Sequence, residues 1–182
     1  MSSDELFIYE KMADQQRERD RAAAIDARPI VVQASRATAY SINNGVPTPI
    51  NFDTTSYDTA GAVVTTPNWR FHPPVAGFYN ISAYIGLDTA DADWSVGDLA
   101  YLYLAVNGAV VRYLAYHQNF GAAAGMALHG AITPYYLTQY SGGSGYVEIY
   151  VYQGSGGLVN VNFGSDSCWV SIERVAGKTR LG

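Results

Sequence analysis

The sequence predicts an all-β protein, a sandwich or jelly roll of about eight to ten strands, with a helix ahead of it. Three observations predict it. Past residue 30, apolar residues recur at period two; Gly, Pro and Asn cut that alternation at regular intervals; and charge is far denser before it than within it. Residues 1–29 hold Lys11, Arg17, Arg19, Arg21 and Arg28 with Asp4, Glu5, Glu10, Asp14, Glu18, Asp20 and Asp26. The much longer remainder has only six basic and nine acidic residues. A charged leader on a low-charge, Tyr-rich β-region favours something tethered at one end and displayed at the other. That is a structural or binding protein rather than an enzyme.

The leader reads as a helix. Ser2 and Glu5 have capping-box spacing, in which each side chain serves the other's backbone N–H. Good helix formers then run to Ala27, and Pro29 stops them. Asp14–Arg17 and Glu18–Arg21 are opposite charges at i,i+3. No heptad holds, because Gln15 and Arg19 take the places after Ile8 and Met12, which argues against a strong autonomous coiled coil. Leu6, Phe7, Ile8 and Tyr9, with Met12, form an apolar cluster at the tip of a charged rod. Residues 1–29 are therefore expected to be an anchor for a larger assembly, or else a helix folded back on its own domain. Residues 30–176 are expected to be the β-domain and 177–182 a tail.

Each strand has its own signal. Ile81, Ala83 and Ile85 alternate with Asn80, Ser82 and Tyr84 after Gly77. Leu102, Leu104 and Val106 lead into Asn107-Gly108, the strongest short hairpin signal, and Val110–Tyr116 runs back. Val147, Ile149 and Val151 alternate with Tyr146, Glu148, Tyr150 and Tyr152; Val159, Val161 and Phe163 form another strand, and Cys168, Val170 and Ile172 the last. Ile30–Tyr40, Thr48–Phe52, Trp69–His72 and Leu128–Leu137, the last interrupted by Pro134, complete the set.

Some of these strands are apolar on both sides. A sandwich strand normally turns one polar face to water. Yet Tyr101, Tyr103 and Ala105 alternate with Leu102, Leu104 and Val106, while Tyr113 and Tyr116 flank Leu114 and Ala115. Tyr146, Tyr150 and Tyr152 add a further aromatic face. Burying a second face takes another subunit, and Tyr is enriched at interfaces. These seven tyrosines are the expected subunit contact.

Composition removes several classes. The formal charge is −5 and the Arg residues are scattered, so no basic stripe offers itself to nucleic acid. No stretch of about 20 apolar residues exists, so no membrane insertion is expected. The single cysteine, Cys168, excludes an intrachain disulfide. The start, Met1-Ser2-Ser3-Asp4-Glu5, is acidic where a secretion signal would be basic, so synthesis in a cytoplasm is expected.

The order of signals resembles the complement C1q globular-head and tumour-necrosis-factor family. Ala34-Ser35-Arg36-Ala37-Thr38 stands where that family opens with a short strand, and Pro49-Ile50-Asn51-Phe52-Asp53 resembles its next one. The run from Trp69 to Ser82, with Phe71, Pro74, Gly77 and Tyr79, is similar to the family's Phe-x-x-Pro-x-x-Gly-x-Tyr-x-Phe core. Val106-Asn107-Gly108 matches its mid-domain hairpin, and Phe163-Gly164-Ser165 followed by Cys168–Val175 its closing strand. The resemblance covers residues 33–175. It implies a ten-stranded jelly roll assembled as a homotrimer, with aromatics near the threefold axis. No Gly-x-y collagen stalk precedes the domain, so a complement or cytokine role is not expected. The same fold serves on spores and bacteriophage particles, where a short N-terminal segment plugs a trimeric knob into a shell or fibre. A helical leader of about 24 residues would make a peg about 36 Å long.

Few residues suggest chemistry. Asp88, Asp91, Asp93 and Asp98 crowd one loop at a spacing that can fold around Ca²⁺, though without the Gly and terminal Glu of an EF-hand. Some members of the resembled family bind calcium. His72, His117 and His129 lie apart, and neither a His-x-x-x-His nor a Cys-x-x-Cys occurs. There is no Gly-x-Ser-x-Gly elbow, and the two Gly-Ser-rich runs, 142–145 and 154–157, read as turns. Tyr135, Tyr136 and Tyr140 are candidates for stacking on sugars. The expected function is a trimeric virion protein decorating a phage capsid or capping a fibre. Its partners are itself, other virion proteins through the leader, and a host surface glycan. The alternative is a lectin-like module that binds carbohydrate or cell surfaces.

Overall fold

The computed structural model describes residues 10–19, 29–88, 94–119 and 126–175. Residues 10–19 form a helix, in which Arg17 donates to Asp14 at 2.9 Å in an exposed i,i+3 pair. Met12 on this helix is exposed. The expected anchor residues Leu6, Phe7, Ile8 and Tyr9 lie outside the described residues.

Strands follow from Ile30 to Val175, the unit that holds the core. They are β1 (Val31–Ser35), β2 (Tyr40–Ile42), β3 (Thr48–Pro49), β4 (Thr54–Asp58), β5 (Val63–Val64), β6 (Arg70–Phe71), β7 (Gly77–Asp88), β8 (Leu99–Val106), β9 (Ala109–Gln118), β10 (Met126–Leu137), β11 (Val147–Gln153), β12 (Val159–Val161) and β13 (Cys168–Arg174). Ten of these are three residues or longer, the number implied for the jelly roll. The remaining three are short bridges, and β4 and β5 are strands that alternation did not predict.

Two antiparallel sheets result. In the first, β7 is central: β10 pairs along one side, and β12 and β13 share the other, with β1 and β4 continuing beyond β13. In the second the order is β5-β6-β11-β8-β9, with β3 also pairing to β11. Strands distant in sequence are neighbours, as in β1 on β13, which pairs Val32 with Ile172. The Greek-key character of the sandwich rests on such pairs.

Alternation sets the core. On β7 the residues Tyr79, Ile81, Ala83, Ile85 and Leu87 are buried, while Phe78, Asn80, Ser82 and Tyr84 point the other way. Val170 and Ile172 of β13 lie beside them in the same sheet, and Leu102 and Leu104 of β8 with Ile149 and Val151 of β11 face them from the other, all in one cluster. Fully burying such side chains stabilises by about 1.5–3 kcal/mol each. Aromatic contacts close one end: Phe52 meets Trp69 edge-on at 5.1 Å, and Phe71 meets Tyr79 at 5.6 Å. The Tyr79 hydroxyl donates to the Val75 carbonyl at 2.6 Å, which satisfies a polar group buried in this core. The segment that carried the family resemblance is thus the floor of the sandwich.

Local chemistry fixes the connections. Asn107 and Gly108 both take positive φ, 55° and 75°, as the two-residue hairpin between β8 and β9 requires. The Asn107 side chain also accepts from the Gly145 N–H at 2.6 Å, tying this turn to the strand entering β11. Pro134 has no N–H for the ladder, and the β10–β7 register shifts between Ile132 and Tyr135. Two further shifts, at Leu102/Tyr103 and Leu104/Ala105, place extra β9 residues opposite β8.

Candidate functional site

The outer face of the second sheet is a tyrosine array. Register places Tyr152, Tyr101 and Tyr116 side by side on β11, β8 and β9. The next row is Tyr150, Tyr103 and Tyr113. Side chains two apart on a strand share a face, and neighbouring strands lie about 4.8 Å apart, so the six phenols form a grid. The β9 bulge at Leu114 keeps this grid in register. It lets Leu114 and Ala115 both pack toward the core, while Tyr113 and Tyr116 both face outward.

Tyr101 is the hub. Its ring lies 5.7 Å from Tyr103, 5.6 Å from Tyr113, 5.5 Å from Tyr116 and 5.6 Å from Tyr152. Tyr103 and Tyr113 approach to 4.9 Å. Contacts at these distances are favourable beyond their burial. The rings cover one another: Tyr103 is only 8% exposed, whereas Tyr113 and Tyr116 remain 63% and 56% exposed. Burial, followed by the Tyr113, Tyr101 and Tyr152 phenols, pushes the Tyr103 hydroxyl up to about 12. The Tyr116 hydroxyl donates to the Gln118 side-chain oxygen at 2.8 Å.

A charged pair borders the grid. Arg70 of β6 donates to Glu148 of β11 at 3.0 Å, and its guanidinium lies 4.1 Å over the Tyr146 ring. Hydrogen bonding to Glu148 raises the Arg70 pKa, against the desolvation that lowers it. Tyr150 leans along its strand toward Glu148, with 3.4 Å between hydroxyl and carboxylate, and burial raises its pKa, with the carboxylate adding to the shift. His72 stacks on Tyr140 at 3.8 Å with nearly parallel planes. Burial, with Arg70 nearby, lowers the His72 pKa, so the neutral imidazole is the stacked form.

Of the seven tyrosines expected at a subunit contact, six thus share one grid, and Tyr146 sits apart under Arg70. The three proposed for sugar stacking do not come together. Tyr135 packs against the core, and its neighbour Tyr136 points to the other side and meets Phe78 edge-on at 5.3 Å. Tyr140 is committed to His72, the residue that follows β6. Period-two alternation alone separates Tyr135 from Tyr136.

The outer face of the first sheet carries a second aromatic group that the sequence reading did not single out. Trp169 of β13, Tyr84 of β7 and His129 of β10 stand in one cross-strand row. Tyr84 and Trp169 lie 6.3 Å apart with ring planes 11° from parallel, and His129 is 6.0 and 5.8 Å from them. The next row is polar, with Gln33, Ser171 and Ser82. Exposed Tyr57 and Phe78 extend the apolar surface on β4 and β7. Pairing between strands far apart in sequence creates this row, and no local spacing announces it.

Of the four carboxylates of the acidic loop, Asp88 and Asp98 lie among the described residues. Asp91 and Asp93 lie outside the described residues, and Asp98 accepts the Ser95 N–H at 2.6 Å as part of a turn. Among the described residues, no three His, Cys, Asp or Glu side chains are arranged to hold a metal. Nor, among them, is any helix long and apolar enough to cross a membrane.

No family model matches the sequence, and no curated protein matches it. Solved structures do match the fold. Eiger TNF from S. frugiperda superposes with a TM-score of 0.58 at 11% identity, covering 85% of this chain and 98% of that one. Murine APRIL, in its crystal structure at pH 8.5, gives 0.55 at 8% identity, covering 81% and 100%. At such identities the likeness is one of architecture: the chain has the TNF-like jelly-roll fold.

Proposed function

We propose that the protein is a non-enzymatic homotrimer of a bacteriophage particle. It decorates or cements the capsid or caps a fibre, with the N-terminal helical segment attached to the particle and the jelly roll displayed outward. The observation that carries this reading is that both outward sheet faces bear clustered aromatic side chains. One is the tyrosine grid, the other the Trp169–Tyr84–His129 row with Tyr57, Phe78 and Tyr136. Exposed aromatic surface on this scale marks contact surfaces. The resemblance to C1q-like heads supplies the threefold stoichiometry, and the charged leader supplies the attachment.

Self-association is assigned to the first-sheet face. The tyrosine grid, which the sequence reading placed at the contact, already covers its central ring with its own neighbours. On the first sheet, Tyr57, Phe78 and Tyr136 stay more than half exposed on three strands, β4, β7 and β10, beside the Trp169–Tyr84–His129 row. A partner subunit buries these rings more completely than the fold does.

Native mass decides it. Light scattering should give three times the 19.7 kDa chain mass. Tyr84→Ala with Trp169→Ala should lower it, and Tyr113→Ala with Tyr116→Ala should not. A well-behaved single subunit at micromolar concentration would remove the proposal. A mass that falls only in the Tyr113/Tyr116 variant would move the contact to the tyrosine grid.

A further inference from the structure

We infer that the tyrosine grid on β8, β9 and β11 is a binding platform for a neutral carbohydrate. The inference rests on the displayed head proposed above, because it needs this face to stay open when copies assemble through the first sheet.

Three observations converge on a sugar. The first is the choice of side chain. The inward faces of β8 and β11 are aliphatic, with Leu102, Leu104, Val147, Ile149 and Val151, while all six outward positions of the grid are phenols. A dry protein contact is served as well by Leu or Phe, and each buried hydroxyl would then need a partner. A sugar offers both things a phenol wants: C–H faces for the ring and hydroxyls for the oxygen.

The second is shape. Three strands about 4.8 Å apart and two positions along each give a surface about 10 Å by 7 Å. Five of the six rings are linked by contacts of 4.9 to 5.7 Å. Tyr101 and Tyr103 lie within 22° of parallel, and the other contacting pairs are inclined by 38° to 66°, so the surface is ridged and presents both ring faces and ring edges. A short run of pyranose rings can lie along such a surface without a cavity. The most exposed rings, Tyr113 and Tyr116, sit on the rim strand β9, where a chain extending beyond the grid would first meet the protein.

The third is charge. None of the six grid residues carries a formal charge at neutral pH, and Arg70 at the border is matched by Glu148 at 3.0 Å. Nucleic acid also stacks on aromatic side chains, but its phosphates need a basic groove. A grid without a lysine or arginine, in a chain of net charge −5, favours a neutral ligand over an anionic one.

The test is an array of neutral oligosaccharides built from hexoses and deoxyhexoses, with hexagalacturonic acid as the charged comparator. Calorimetry on the strongest binder then follows, using the full-length chain. At least one neutral oligosaccharide should bind, and Tyr113→Ala with Tyr116→Ala should weaken it about tenfold or more at unchanged native mass. Tyr116→Phe keeps the ring and should bind within about twofold of the parent. A blank array, unaltered binding in the alanine variant, equally tight hexagalacturonic acid, or a Phe variant as weak as the alanine one would each overturn the inference. So would a drop in native mass on removing Tyr113 and Tyr116, which would make the grid a subunit contact. A monomeric parent that still loses sugar binding in the alanine variant would defeat the trimer and leave the platform standing.

Discussion

Gly130 of β10 lies against the backbone of Leu114 on β9. A β-carbon built on Gly130 falls 2.9 Å from the Ala115 nitrogen and still closer to the Leu114 carbonyl. β9 and β10 belong to different sheets, so this is where the two layers close on each other at one edge of the sandwich. The neighbour is main chain in a paired strand and has no rotamer with which to yield. Gly130→Ala should therefore cost about 1–3 kcal/mol, the usual range for overpacking a filled interior, and Gly130→Val more. Urea unfolding would show it as a lower midpoint at unchanged slope. Stability equal to the parent would mean that the two sheets do not meet this closely.

Arg70 and Glu148 make an asymmetric pair, and the two deletions should differ. The Glu148 side chain is 3% exposed, whereas that of Arg70 is 30% exposed. Arg70→Met leaves a buried carboxylate with only the long contact to Tyr150, so it should cost about 2–4 kcal/mol, toward the lower end of buried pairs. Glu148→Gln leaves a cation that can reach water and still lies over Tyr146, and should cost about 1 kcal/mol. Thermal unfolding of both variants checks the order. Equal losses would place Glu148 in contact with solvent.

Much of the architecture was legible because it is local. Ile81, Ala83 and Ile85 advertise one buried face of β7, and Asn107-Gly108 names its own turn through two positive φ values. What escaped depends on partners far along the chain. β4 is Thr54–Asp58, exposed along most of its length, and has no apolar alternation; it is a strand because β1 pairs with it. Trp169, Tyr84 and His129 read as isolated aromatics until three strands align them. The tyrosines of β8, β9 and β11 were visible as an aromatic excess. Their mutual covering was not, because it depends on the bulge that turns Tyr113 and Tyr116 outward together. For the same reason Tyr135 and Tyr136, adjacent in sequence, could not be told to lie on opposite sides.

Acid should weaken the fold through His72. Its folded pKa lies below the ordinary 6.5, so the unfolded chain takes up the proton first as pH falls. The contribution is fully present above 6.5 and is lost as pH drops from there toward the folded value. His72→Phe keeps a ring on Tyr140 and should flatten stability against pH below 6.5. A parent and variant with the same acid limb would show that His72 titrates freely.

Alkali acts in the opposite sense through two buried acids. Tyr103 is raised from 10.0 to about 12 and Cys168 from 9.0 to about 12, both chiefly by burial. Each contribution is intact below the unfolded value. It declines as pH rises from about 9 for the thiol and about 10 for the phenol, until the folded value near 12 is reached. Tyr103→Phe should therefore remove part of the loss above pH 10 while leaving neutral stability within about 1 kcal/mol. The same burial makes Cys168 inert: a thiol reagent at pH 8 should label it only on unfolding. Rapid labelling of the native protein would contradict that.

The leader should matter for attachment and not for the head. Residues 10–19 are helical, and helices draw most of their stability from packing against other surfaces rather than from propensity alone. Its one described ion pair, Asp14–Arg17, is exposed and contributes only about 0.2–0.5 kcal/mol. A free peptide of residues 1–29 should accordingly be largely disordered by circular dichroism and gain helix only against its binding surface. The chain from residue 30 onward keeps every described strand of both sheets, so it should retain the parent's native mass and lose less than about 1 kcal/mol of stability. Mixed with the phage particle proposed above, it should fail to attach where the full chain does. Attachment by the truncated chain would transfer the docking surface to the jelly roll itself, and the leader would then need another role.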